Sequence, residues 1–199
     1  MRHPRLWRRS PILSLVGTGL TMAGISCGAE APVAEDTVEV VPVFQLTASM
    51  EEIMRYMIDP SADAVWDAVV TVVTAEGVVT TEPQTSDDWL MLRRHAVTLI
   101  EATDLLLLQG RRVAAEGSRS ELPGVDLEPE QIEALLAEDL DSWVGFVAML
   151  HESGLGVLEA IDNADVDALL VAGDLLDVAC EVCHVRYWYP PLASQDSAR

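Results

Sequence analysis

Two cysteines and a histidine stand together near the end of the chain, in the order Cys180-Glu-Val-Cys183-His184. Residues three positions apart lie on the same side of a helix, so both thiols can reach one flat ligand. Thiols in a C-x-x-C-H motif form thioether bonds with the vinyl groups of a haem, and the adjacent imidazole binds the iron. The motif therefore predicts one covalently attached haem c, with His184 as an iron ligand.

Three other interpretations use the same residues. A zinc site lacks a convincing fourth ligand. A thioredoxin-like redox pair stands at the start of a helix in a βαβ unit, whereas this pair lies at the end of the last predicted helix. A structural disulfide between Cys180 and Cys183 stays open as an alternative, although it leaves the following histidine unexplained. Haem attachment is favoured because it gives all three residues a role.

The first 26 residues have the layout of a bacterial export signal. Four arginines lie within the first ten residues, and residues 11–26 are apolar or small and too few to span a membrane comfortably. Export fits the motif, because haem c is attached outside the cytoplasm. Cys27 follows the apolar run directly, as in bacterial lipoproteins, so residues 27–44 are expected to be a lipidated cysteine and a flexible tether. An ordinary soluble signal, cut within residues 26–34, is the alternative.

The charge balance of the chain is strongly acidic. It has 33 Asp and Glu against 12 Lys and Arg, a formal net charge of −21, and all twelve bases are arginine. This charge excludes a nucleic-acid-binding protein. Half of the residues are apolar, enough for a folded core, and we expect no membrane contact beyond the lipid anchor. The sequence has neither a Ser/His/Asp constellation nor a phosphate loop, so we do not expect an enzyme.

Apolar residues recur at spacings of three and four from Gln45 onward, which predicts an all-α domain over residues 45–192. Four amphipathic helices with mostly short links favour an antiparallel up-down-up-down four-helix bundle. Residues 193–199 are expected to form a disordered tail. The four helices are predicted over residues 46–77, 86–110, 130–161 and 163–189.

Two local features are expected to disturb these helices. In helix one, Asp59-Pro60 ends the first segment and restarts the helix, with Asp59 as the N-cap and Pro60 at the first helical position. In helix three, Gly154 and Gly156 are expected to weaken the helix and to kink it. The restarted part of helix one is expected to bury Val65, Trp66, Val69, Val72 and Val73.

The last predicted helix, DNADVDALLVAGDLLDVACEVCHVRYW, resembles the last helix of class II cytochromes c, the cytochrome c′ family. In that family a four-helix bundle carries its C-x-x-C-H near the C-terminus. The likeness spans residues 45–189 and is strongest in the last thirty of them. The resemblance implies covalently bound haem c and either electron transfer or the binding of NO or CO at an open iron. It also implies that the protein can form a homodimer through its first two helices.

The bundle topology and the resemblance indicate which residue faces the other side of the iron. In an up-down-up-down bundle the start of helix one and the end of helix four lie at the same end. Met50, Met54 and Met57 share one face there, and a methionine thioether is a sixth ligand that raises the reduction potential. The resemblance favours Met54, with Met50 and Met57 as alternates, and a simple methionine core is the other interpretation. His95 and His151 lie in mid-helix, too far from the haem end.

Arginine can hold haem propionates because its guanidinium makes bidentate contacts with carboxylates. Arg186, two residues past His184, is the best placed by sequence. Trp188, with Tyr187 and Tyr189, is expected to cover one edge of the haem. The other candidate arginines are Arg55, Arg93 and Arg94.

We therefore expect an exported electron carrier on the periplasmic side of a bacterial envelope, with methionine and histidine on the haem iron. Removal of residues 1–26 leaves 8 arginines against 33 Asp and Glu, which steers the protein toward redox partners with basic surfaces. A five-coordinate protein that binds NO or CO is the first alternative. A haem-free envelope lipoprotein with a structural disulfide is the second.

Overall fold

The computed structural model describes residues 45–191, which fold mostly into helices. The helices are α1 (residues 50–66), α2 (Ser86–Leu106), α3 (Pro129–Glu138), α4 (Leu140–Asp162) and α5 (Val166–Tyr187). The strands are β1 (Val70–Thr74) and β2 (Gly77–Thr81). The prediction of a mainly helical fold is confirmed. The predicted signal peptide, Cys27, the tether up to residue 44 and the tail over residues 193–199 lie outside the described residues.

Helix α1 continues through the Asp59-Pro60 step, where the sequence predicted a break. Asp59 has helical dihedrals (φ −54°, ψ −56°), unlike an N-cap, and its N–H donates to the carbonyl of Met54, five residues back. Pro60 has no N–H, and its ring crowds the carbonyl four residues before it, so a wider turn accommodates it. The segments of α1 are Met50–Ile53 (α-helical), Met54–Ile58 (π-helical) and Asp59–Trp66 (α-helical).

Residues 70–81, predicted as the end of the first helix, form a hairpin instead. Strands β1 and β2 pair antiparallel, with Val72 opposite Val79. Both strands consist almost wholly of valine and threonine, whose branched side chains lose freedom in a helix and fit a strand. Gly77 lies at the turn with φ +141°, a conformation that other residues rarely adopt. Every strand residue is exposed, so the prediction that Val72 and Val73 are buried is wrong.

The predicted third helix is two helices that meet at Asp139. This residue has φ −136° and ψ 61°, outside the helical range, and its carboxylate accepts a hydrogen bond from the N–H of Ser142 at 3.3 Å. The contact with Ser142 lowers the pKa of the Asp139 carboxyl. A side-chain acceptor of this kind starts a new helix, so the prediction of one helix over residues 130–161 is wrong at this point.

Helix α4 is continuous across Gly154 and Gly156, which the sequence predicted to weaken and kink it. A Cβ atom on Gly154 would lie 2.9 Å from Cγ1 of Ile100 and 3.0 Å from Cδ2 of Leu99. The absent side chain therefore lets α4 pack closely against α2. Nothing lies within 4 Å of a Cβ built on Gly156, so that glycine has no packing role.

Replacement of the two glycines by alanine is expected to change the free energy of unfolding in opposite directions. Gly154→Ala should lower the free energy of unfolding by about 1–3 kcal/mol, because the new methyl group overpacks against α2. Gly156→Ala should raise it by up to about 1 kcal/mol, because alanine favours a helix and meets no neighbour. Urea unfolding followed by circular dichroism measures both values. Equal effects of the same sign would contradict the close contact at Gly154.

The core lies around α4, which packs against α2 and α5, while α1 contacts α2 and α5. Among residues 45–191, α4 is the one helix that is long and apolar enough to cross a membrane, judged by length and composition. Its side chains Trp143, Val147, Leu150 and Val157 are buried in this core. The packing of α1, α4 and α5 positions the site described next.

Candidate functional site

A cavity of about 620 Å³ lies among α1, α3, α4, α5 and the connection that follows α2. Its volume falls within the range of small-molecule sites, roughly 300–1,000 Å³. Apolar side chains dominate its wall, and they include Leu106, Leu136, Phe146 and Leu150. Such a wall suits a ligand that is itself largely apolar.

Cys180, Cys183 and His184 all line this cavity from the last turns of α5. The carboxylate of Asp165 caps the start of α5 by accepting from the N–H of Ala168 at 3.0 Å. Farther along the helix, the buried side chains of α5 fix which face points inward; they are Leu169, Leu176 and Ala179. Both cysteines are half-buried free thiols. The helix thus presents two thiols and one imidazole to the same space.

Burial governs the protonation of these three groups. It raises the pKa of the Cys180 thiol to about 11, with smaller contributions from Asp177 and Asp59. It raises the pKa of the Cys183 thiol to about 12. Cysteines that exchange disulfides or bind zinc act as thiolates with a lowered pKa, which is the opposite environment. Burial also lowers the pKa of His184, so a neutral imidazole faces the cavity at pH 7.

Aromatic rings surround the imidazole of His184. The Trp188 ring lies edge-on to it with 5.0 Å between centroids, and the Tyr189 ring lies at 6.0 Å. The N–H groups of Trp188 and Tyr189 both donate to the His184 carbonyl, at 2.7 and 3.0 Å, which ends the helix. Tyr187 also lines the cavity and is buried between Trp143 and Phe146, with centroids 5.7 Å from each. The aromatic cluster holds His184 in place.

Met50 and Met54 line the same cavity as the C-x-x-C-H motif, and Met57 does not. The π-helical turn explains the difference, because an extra residue in the turn displaces Met57 from the stripe that regular α-helical spacing predicts. Met57 packs half-buried against the core. The structure therefore places two of the three candidate methionines at the cavity that His184 also lines.

Two sets of contacts fix α1 beside α5 and the connection that follows α2. The indole N–H of Trp66 donates to the carbonyl of Gly173 in α5 at 3.1 Å. At the other end of α1, the N–H of Met50 donates to the carbonyl of Arg112 at 2.9 Å, and the N–H of Glu51 donates to that of Val113 at 2.8 Å. These bonds hold the methionine-bearing turns against the cavity.

Arg186 lies outside the cavity wall. Its guanidinium is 3.7 Å from the Asp139 carboxylate and lies over the Tyr187 ring. Arg55 and Arg119 line the cavity instead. Arg55 forms ion pairs with Glu51 and Glu121, and Arg119 lies 3.9 Å from Glu130. The structure thus gives two other arginines access to a bound carboxylate.

The sequence did not single out Arg119, because this residue lies in the irregular connection between α2 and α3. Because that connection has no helical or strand periodicity, its sequence does not predict where its side chains lie relative to the motif. Arg93, another sequence candidate, pairs with Asp162 at 2.7 Å and does not line the cavity. Proximity in the folded chain, rather than spacing in the sequence, brings Arg55 and Arg119 to the cavity, where Glu51 and Glu121 also line the wall.

Within residues 45–191, the hydroxyl of Ser120, a residue that lines the cavity, is buried without a hydrogen-bond partner. An unpaired buried hydroxyl costs about 1–3 kcal/mol. It can donate to a polar group of a bound ligand, which removes that cost. The cavity therefore combines an apolar interior with a few polar contacts.

The two other histidines of residues 45–191 lie away from the cavity. The Nδ1 atom of His151 is 2.9 Å from Oγ1 of Thr103 and 3.8 Å from the carboxylate of Asp104. Neither His95 nor His151 lines the cavity. Within residues 45–191, no group of three or more His, Cys, Asp or Glu side chains is placed to hold a metal ion.

The arrangement can hold a flat apolar ligand that carries a metal and a few polar groups. Two thiols are available for covalent bonds, one neutral imidazole for the metal, and thioethers from α1 for a further ligand position. Comparisons with protein-family models, with curated proteins and with solved structures gave no match to this chain.

Proposed function

We propose that this protein is an exported c-type cytochrome that transfers electrons through one covalently attached haem. The observation that carries the proposal is the shared cavity of about 620 Å³, lined by Cys180, Cys183 and His184 from α5 and by Met50 and Met54 from α1. The helical C-x-x-C-H provides the attachment chemistry. The two methionines provide candidate ligands for the second axial position.

The residues at the cavity fit a haem in three respects. The apolar wall suits the porphyrin ring. Arg55 and Arg119 suit its two propionates, because guanidinium groups bind carboxylates in a bidentate manner. The buried hydroxyl of Ser120 provides a further donor for the same carboxylates.

Each residue of the motif has a defined task in this proposal. Cys180 and Cys183 would form the two thioether bonds, His184 would bind the iron, and Met54 would be the sixth ligand, with Met50 as the alternate. When bound, the haem iron supplies one-electron redox chemistry. The chain keeps the imidazole neutral by burial and keeps water away from the ring with apolar side chains.

The wider organisation follows from the same proposal. Helices α1, α2, α4 and α5 form the up-down-up-down bundle of a class II cytochrome, with the hairpin inserted between the first two. Residues 1–26 direct export, and Cys27 anchors the protein to the periplasmic side of the envelope. Electron carriers of this type need no substrate pocket, so no enzymatic activity is proposed.

Absorption spectra of the oxidised and reduced protein test the proposal. Purified from a host that matures cytochromes, the protein is expected to be coloured and to give the spectra of a low-spin haem c, unchanged by CO. A colourless protein with a Cys180–Cys183 disulfide would support the haem-free lipoprotein instead. Rapid CO binding by the reduced protein would support the five-coordinate gas-binding alternative.

The acidic surface is expected to make electron exchange depend on the charge of the reagent. With a cationic inorganic oxidant, the rate constant should fall about tenfold when salt rises from about 0.01 M to about 0.5 M, because screening weakens the attraction. With an anionic oxidant of similar potential, the rate constant should rise. Stopped-flow spectroscopy measures both. Rate constants that do not change with salt for either reagent would contradict electrostatic attraction of the oxidant by the net charge of −21.

A further inference from the structure

The outward surface of α5 carries an apolar row that no described residue covers. Val171, Leu175, Val178 and Val182 have exposed fractions of 61%, 59%, 53% and 36%. Their spacing of four, three and four residues is the a/d spacing of a helix that packs against another helix. We call these four side chains the outer row.

Helix α5 is therefore apolar on two sides. Its inward residues Leu169, Leu176 and Ala179 are buried in the core against the neighbouring helices. A helix that is apolar all round is normally buried all round, and an exposed apolar stripe on a soluble domain marks an interaction site. The outer row has the length and geometry to receive one helix of a partner.

A line of carboxylates flanks the outer row. Asp167, Asp174 and Glu181 recur every seven residues and are exposed; Glu181 also lines the cavity, and its carboxylate accepts a hydrogen bond from the Tyr189 hydroxyl at 2.6 Å. The one arginine of α5, Arg186, is engaged with Asp139. A second copy of this chain would bring two acidic lines together, and like charges across an interface cost affinity. The flank thus selects a basic partner.

We infer that the outer row docks an amphipathic helix of a partner protein, whose apolar residues cover Val171 to Val182 and whose Lys or Arg side chains pair with the acidic flank. Val182 stands between Cys180 and Cys183, so the docked helix lies next to the candidate haem site. Its role as the point of electron entry rests on the proposed function. The docking itself does not depend on haem.

Two synthetic peptides test the docking surface with the full-length protein. Both are amphipathic helices of about 18 residues, or five turns, with leucine along one face. One has lysine beside the leucines, and the other has glutamate at the same positions. Fluorescence anisotropy is expected to show binding of the lysine peptide at least about tenfold tighter than that of the glutamate peptide. Equal affinities, or no binding of the lysine peptide, would overturn the inference.

Variants then locate the binding site. Leu175→Ser with Val178→Ser should weaken binding of the lysine peptide about tenfold, because the centre of an interface carries most of its affinity. Asp167→Asn with Asp174→Asn leaves the outer row and the cavity lining intact and should weaken binding and reduce its salt dependence. The control is Val73→Ser, a still more exposed valine in the hairpin, which should change nothing.

Three results would overturn the inference. One is peptide binding that is unchanged in both α5 variants. Another is a protein that sediments as a dimer and becomes a monomer with Leu175→Ser and Val178→Ser, which would make the outer row an interface between copies. The third is binding to phosphatidylcholine vesicles that the same two substitutions abolish. The electron-entry role is tested separately, since the peptides bind with or without haem.

Discussion

Replacement of Cys180 and Cys183 by serine is expected to leave the chain with no haem after denaturation, whereas the wild-type chain keeps one. A thioether is a carbon–sulfur bond that survives acid extraction, and the bond from His184 to iron does not. Serine is close in size to cysteine but cannot form a thioether. Intact mass spectrometry of the extracted chain and haem absorbance on a denaturing gel measure the difference.

The matched control for this experiment is Val182→Ala, which lies between the two cysteines and leaves both sulfur atoms in place. It should retain one haem per chain. Each single serine variant keeps one sulfur and should retain a smaller fraction of covalent haem. A wild-type chain with the bare polypeptide mass would contradict the proposed function, and so would a double serine variant that still holds haem covalently.

Replacement of Met54 by alanine is expected to open the sixth position of the iron. The reduced variant should bind CO rapidly, and its reduction potential should fall by roughly 0.1 V, part of the ~0.8 V range over which axial ligands set the potential. The physical reason is that a thioether stabilises the ferrous state. Spectroelectrochemistry and CO titration measure the two effects.

Met57→Ala is the control for this prediction, because Met57 does not line the cavity with His184. It should keep the low-spin spectrum and the potential of the wild type. Met50→Ala distinguishes the two methionines that do line the cavity. A low-spin spectrum that survives in both the Met50 and Met54 variants would exclude methionine as the sixth ligand.

The sequence was sufficient to predict a mainly helical fold and a contact between the first helix and the last. Apolar spacing in α2 and α5 is unambiguous, and Cys180, Cys183 and His184 form a local motif whose geometry a helix fixes. Helix order predicts that Met54 faces the end of the last helix; in the structure Met54 and His184 line one cavity, and the contacts between α1 and α5 come mainly from the Asp59–Trp66 segment.

The features that the sequence did not reveal depend on competition between local preferences or on tertiary contacts. The spacing of Val72 and Val73 fits both a helical stripe and a strand. Their branched side chains lose rotamer freedom in a helix and therefore favour the hairpin. Asp139 interrupts a helix through one hydrogen bond to Ser142. Arg119 reaches the cavity from an irregular connection that no period describes.

The π-helical turn in α1 sets how the first part of the helix is rotated relative to the second, because it adds one residue to a single turn. The hydrogen bond from Trp66 to the carbonyl of Gly173 fixes the C-terminal end of α1. The orientation of the side chains before the π-helical turn therefore depends on the number of residues that separate them from Trp66. Deletion of one residue within Met54–Ile58 would rotate the preceding side chains by about 100° around the helix axis. Both thioethers would then leave the wall that they share with His184, so the length of this segment, and not only its composition, determines which side chains face the cavity.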